Sequence, residues 1–95
     1  MSISYSGPAN NDIEGGRLVV DTTLQLVVNS DAHRSLLRLY NEGAMIVYVG
    51  SSSLTPDLGW PIMPGTFQEI KGTGKLYARV VSGTANLRYL VERKG

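Results

Sequence analysis

Apolar and polar residues alternate with a period of two along most of this chain, the spacing that sends successive side chains to opposite faces of a strand. Thr23 to Val28 places Leu24, Leu26 and Val28 on one face. Arg34 to Tyr40 sets Leu37 and Leu39 against Arg34, Leu36, Arg38 and Tyr40. Lys75 to Val81 sets Leu76, Ala78 and Val80 against Tyr77, Arg79 and Val81, and Asn86 to Glu92 sets Leu87, Tyr89 and Val91 against Arg88 and Glu92. Ala44 to Val49 is a dense β-branched and aromatic run, the pattern of a strand covered on both faces. Arg17 to Val20 and Thr66 to Ile70 are weaker strand candidates, and no stretch keeps helical spacing over three turns.

Turn chemistry separates these runs. Asn41-Glu-Gly43 and Ser82-Gly-Thr84 read as hairpin connections, Lys71-Gly-Thr-Gly74 as a further glycine turn, and Asn29-Ser-Asp31 as a polar break. Gly50 to Gly65 holds three of the four prolines (Pro56, Pro61 and Pro64) and the only tryptophan, so it reads as a loop with at most a short edge strand. About seven short strands at roughly ten-residue spacing predict an all-β, antiparallel β-sandwich or small barrel. The polar, breaker-rich stretch Ser6-Gly-Pro-Ala-Asn-Asn-Asp12 and the pair Gly15-Gly16 set residues 1–16 apart as a flexible N-terminal arm before a single β-sandwich domain, residues 17–95. The arm is read either as a frayed tail or as a segment ordered against a neighbouring subunit, anchored by Ile3, Tyr5 and Ile13.

Composition removes many function classes. Nine Lys plus Arg against eight Asp plus Glu give a net charge of +1, without the basic excess of a nucleic-acid binder. With no cysteine and one histidine, His33, thiolate chemistry, histidine-rich metal centres and Ser/His/Asp triads are not expected. No apolar run is long enough to span a membrane, and Met1 to Tyr5 lacks the features of a signal peptide, so a chain made inside the cell is expected. The carboxylates, Asp12, Glu14, Asp21, Asp31, Glu42, Asp57, Glu69 and Glu92, are scattered around turns and suggest no catalytic pair. Gly72-Thr-Gly74-Lys75 lacks both the spacing and the following helix of a phosphate loop. No catalytic residue, cofactor or metal is expected.

Candidate contact residues remain. Trp60, Pro61, Ile62 and Met63 lie in a proline-stiffened apolar segment that either caps one end of the sandwich or meets a partner. Arg34, Arg38, Arg79, Arg88 and Arg93 fall on or beside strands and form a positive stripe only if the fold gathers them on one face.

The segment Ala32-His-Arg-Ser-Leu-Leu-Arg-Leu-Tyr-Asn41, then Gly43-Ala-Met-Ile-Val-Tyr-Val-Gly50, Gly59-Trp-Pro-Ile-Met-Pro-Gly65 and Leu76-Tyr-Ala78 resembles small virion proteins of tailed bacteriophages. The shared pattern is R-x-x-L-x-x-x-N leading into V-Y-V-G, a Pro-Gly turn and an L-Y-A strand, over roughly residues 20 to 93. The resemblance implies a jelly-roll-like sandwich made in the host cytoplasm and carried on the capsid surface. Its implied role is that of a decoration, or cement, protein binding between capsomers, assembled as a homotrimer and partnered by the major capsid protein or another virion protein, with no direct contact to nucleic acid or membrane. A head–tail connector, a tail or fibre-base protein, and a carbohydrate-binding adhesin module are the alternative roles. Strand order is open at this stage between a jelly roll and an immunoglobulin-like sandwich.

Overall fold

The computed structural model describes residues 2–4 and 11–94, with side chains from residue 13 onward. Its strands are β1 (Ser2–Ser4), β2 (Asn11–Val20), β3 (Gln25–Val28), β4 (Arg34–Asn41), β5 (Val47–Gly50), β6 (Trp60–Ile62), β7 (Phe67–Ile70), β8 (Leu76–Arg79) and β9 (Ala85–Lys94). No helix occurs among the described residues. The strands form a five-stranded sheet, β1-β2-β9-β4-β7, and a four-stranded sheet, β3-β8-β5-β6. Every pairing is antiparallel.

The pairings are nested. β5 pairs with β6, β4 with β7, β3 with β8 and β2 with β9, so the chain is one long ribbon doubled back at the β5–β6 loop. The ribbon is then rolled until β4 meets β9 and β5 meets β8. That order is a jelly roll, which settles the choice of sandwich left open by the periodicity. Burial follows the alternation except in β3. There a register shift between Leu26 and Val28 splits the face read as Leu24, Leu26 and Val28: Leu24 and Leu26 are exposed, while Val27 enters the core and Val28 packs against it. Leu37, Leu39, Leu87 and Val91 from one sheet face Val47, Val49, Ala78 and Val80 from the other, with Val20, Val27, Ile62 and Ala85 completing the core.

Three further readings change. The turns at Asn41–Gly43 and Ser82–Thr84 are not hairpins. Each carries the chain from one sheet to the other, β4 to β5 and β8 to β9. The β5–β6 loop does join paired strands, and β6 is the edge strand its prolines permit. Arg34 does not share the outer face with Arg38 and Tyr40. A register shift between Arg34 and Leu36 against β9 breaks the alternation and leaves Arg34 6% exposed. The third change concerns residues 11–16, read above as the end of the arm, which form the first part of β2 and pair with residues 89–94 of β9. Gly16 lies directly opposite Tyr89 in this ladder, and a Cβ there would fall within 2.8 Å of the ring's Cε2. The glycine therefore makes room for the aromatic ring that covers it. Tyr5 lies outside the described residues.

Candidate interaction surface

The segment from Leu58 to Phe67 leaves the core almost as soon as it enters it. Ile62, opposite Val47 in the ladder, is 2% exposed and belongs to the core, so it offers no surface to a partner. Around it, Leu58 (78% exposed), Trp60 (62%), Met63 (50%) and Phe67 (61%) are held in solvent, and Pro61 is exposed beside them. Scattered apolar side chains are ordinary on a protein surface, but four large ones within one short segment are a concentration.

Local chemistry fixes this segment rigidly. Met63-Pro-Gly-Thr66 is a four-residue turn in which Thr66 N donates to Met63 O at 3.1 Å, with Gly65 at φ 75°. Proline at the second position and a positive-φ glycine at the third are the requirements of a type II turn. The Thr66 hydroxyl also donates to Met63 O, at 2.7 Å. The turn is then tied to the end of β4: Asn41 N donates to Thr66 O at 3.0 Å, and Gly65 N donates to Asn41 O at 2.9 Å. The Asn41 side chain, fully buried, donates to Ile62 O (2.9 Å) and Met45 O (2.7 Å) and accepts from Gly43 N (2.9 Å). Both ends of its amide are thus satisfied, as burial of a polar group requires.

The aromatic residues are oriented as well as exposed. Trp60 stands opposite Val49 and turns toward the gap between the sheets, where its indole N–H donates to Gln68 Oε1 of β7 at 3.3 Å. The Trp60 side chain therefore bridges the edges of both sheets, as a lid would, and still presents most of its surface outward. Phe67 lies opposite Tyr40 on the outer face of the five-stranded sheet, with Arg38 Cζ 5.9 Å from its ring centroid. Arg38 is itself ion-paired to Glu69 at 2.6 Å. Two large apolar groups thus flank a rigid turn, with a third on the edge strand beside it.

The arginines are dispersed. Arg38 and Arg88 lie on the outer face of the five-stranded sheet, where Glu42 bridges Arg88 (2.8 Å) and Arg17 (3.1 Å). Arg93 pairs with Glu14 (2.7 Å) and Asp31 at one end of the sandwich. Arg34 lies at that same end, and Arg79 is on the opposite sheet. No positive stripe forms. Between Ile13, Gly15, Arg17, Arg88 and Leu90 the outer face holds an open trough of about 540 Å³, mostly apolar, whose two guanidinium groups share Glu42. Ile13 lines this trough, and Ile3 stands opposite it in the β1–β2 ladder. His33 is exposed, and its backbone N–H donates to Asp31 Oδ1 at 2.9 Å. Among the described residues, no group of three His, Asp or Glu side chains is gathered for a metal ion.

Sequence reasoning singled out Trp60, Pro61 and Met63 and missed Phe67 and Asn41. Phe67 is the chain's only phenylalanine, and alternation in Thr66 to Ile70 sets it beside Glu69, a signal that it faces water. Asn41 read simply as a turn residue, since nothing local reveals that its amide reaches across to β6. No protein-family model matches this chain, and no curated protein matches it.

Proposed function

We propose that this chain is a non-enzymatic structural protein of a tailed-bacteriophage virion, most specifically a decoration protein that binds the assembled head. The observation that carries this reading is the rigid display of Trp60, Met63 and Phe67 on the joined edges of β6 and β7. Apolar groups on a preformed, proline-braced turn lose little conformational entropy when they are covered, which suits binding to a shell already built. The resemblance noted for residues 20–93 supplies the virion context, and the jelly-roll order agrees with the architecture that resemblance implies.

The test is co-sedimentation of the purified protein with expanded heads of the phage or prophage whose genome carries this sequence. Wild-type protein is expected to sediment with the heads. Trp60→Ala, which removes a large anchor worth about 2 kcal/mol or more at an interface centre, is expected to weaken binding roughly thirtyfold. The melting temperature of the variant, measured in parallel, separates lost contact from lost fold. Protein that ignores the heads but is retained on a glycan array, in a manner dependent on Trp60, overturns the decoration role in favour of the adhesin role.

A further inference from the structure

The four strands of the second sheet read QLVV, VYVG, WPI and LYAR, and Arg79 is their single charged residue. Because Val47, Val49, Ala78 and Val80 fill the core, Tyr48, Tyr77 and Arg79 point to the opposite, outer face, with Leu26 beside Tyr77. Leu24, Leu26 and Val81 are exposed around them. Within the strands this outer face offers tyrosine, leucine and arginine with no lysine or carboxylate, the composition of a contact surface, and it contrasts with the Arg–Glu pairs on the outer face of the other sheet.

Two features of this face call for something the single chain does not supply. Arg79 has no ion-pair partner among the described residues, and its Nε is closed off from water with no acceptor. Beside Tyr48 is an open apolar hollow of about 290 Å³, lined with Ala44, Met45, Ile46 and Val81. The complement to both is carried on the β5–β6 loop of the same sequence. Leu58 is the most exposed large apolar residue described, and its neighbour Asp57 is an exposed carboxylate with no cation paired to it among the described residues.

We propose that the outer face of the four-stranded sheet is an interface between copies of this chain, in which Leu58 of one copy fills the hollow beside Tyr48 of another and Asp57 meets Arg79. A cation on an uncharged aromatic face selects an anion seated in apolar surroundings, and Asp57-Leu58 is such a pair. A reciprocal exchange closes a two-fold dimer, a head-to-tail exchange of suitable rotation closes a ring, and each makes the same two contacts. The interface adjoins the Trp60–Phe67 strip, since Pro61 stands opposite Tyr48, but Trp60 itself turns toward the gap between the sheets, so Trp60→Ala tests head binding without removing the Asp57, Leu58 and Arg79 contacts.

The experiment is mass by light scattering after size-exclusion chromatography, over protein concentrations up to about 1 mM, with folding followed by circular dichroism. Wild-type protein is expected to form a closed oligomer. Arg79→Glu and Asp57→Arg are each expected to weaken association at least about tenfold, and the double variant to recover it, because the swap restores opposite charges. Leu58→Asp, in an exposed loop where folding is not at stake, is expected to give monomer. A wild-type monomer at every concentration overturns the proposal. So does an oligomer that ignores Leu58→Asp, or a double variant that fails to reassociate. Trp60→Ala is expected to leave the mass unchanged.

Discussion

Two arginines hold one end of the sandwich together by different chemistry. Arg34 is buried and makes no ion pair among the described residues. Its guanidinium donates to the carbonyls of Asn29 (2.9 Å), Gly72 (3.0 Å) and Gly74, joining the β3–β4 and β7–β8 connections. Arg93 is held by the carboxylates of Asp31 and Glu14. Carbonyls do not titrate in this range and carboxylates do, so acid releases the second clamp and spares the first. The Asp31 carboxyl is held below its ordinary value of 3.8, chiefly by the Arg93 hydrogen bond and then by the His33 backbone N–H. A carboxyl with a lower pKa in the folded state stabilises fully above its unfolded value, and that stabilisation is lost as pH falls through the folded one. Thermal melts followed between roughly pH 5 and pH 2 are therefore expected to show a shallower acid loss in Asp31→Asn than in wild type. Part of the slope is expected to persist in that variant, because Asp21 is also lowered, by its hydrogen bonds from the Thr23 hydroxyl and backbone N–H. The register shift that brings Arg34 inward is the kind of feature period-two reading misses, since one extra residue reverses the inside–outside assignment of everything before it.

At the scale of elements, the strands after residue 17 were largely legible, β1 and the first part of β2 were hidden in the stretch read as an arm, and which strands pair was not legible. Leu37 with Leu39, Ala78 with Val80, and Leu87 with Val91 all face the core as their alternation predicts. The turns were misread because local sequence encodes a reversal and not its outcome. Gly83 at φ 70° and Gly72 at φ 129° turn the chain as a hairpin glycine would, but both sit where it passes between sheets. What decides the partner is the burial of side chains on distant strands. The Gly15-Gly16 pair shows the same dependence: read alone it marks the end of a flexible arm, while in the ladder Gly16, opposite Tyr89, is a seat for a ring. The two glycines are separable. A Cβ on Gly15 meets Tyr89 O at 3.6 Å and Leu90 Cδ1 at 3.7 Å, ordinary contacts, whereas one on Gly16 overlaps the Tyr89 ring. Gly15→Ala is expected to be neutral or stabilising by about 0.5 kcal/mol, through reduced freedom of the unfolded chain. Gly16→Ala is expected to cost about 1–3 kcal/mol, through displacement of the ring. Urea unfolding of the two variants side by side checks both values.

At the scale of the whole molecule, the candidate surface was partly visible beforehand because it is contiguous in sequence. Trp60, Pro61 and Met63 announce themselves by composition, and Phe67 is four residues from Met63. The outer face of the four-stranded sheet was not visible, because Leu26, Tyr48, Tyr77 and Arg79 come together only when β3, β5 and β8 align. The nested ribbon has one more consequence. Ser2 and Lys94 lie three residues apart along the strands and two strands apart across them, roughly 10 Å in each direction, a span that about six glycine and serine residues bridge. The opposite end of the ribbon is the exposed run Ser51–Ser53 in the β5–β6 loop. Tying the ends together and cutting between Ser51 and Ser53 preserves every strand pairing, so a circular permutant opened there is expected to melt as cooperatively as the parent, as a calorimetric scan would show. Because β5 runs back from the Asn41 end toward the end that holds Arg34 and Lys94, such a permutant carries its new termini at the same end of the sandwich as the old ones, so a cargo fused at either pair leaves the far end, with the Met63–Thr66 turn, uncovered.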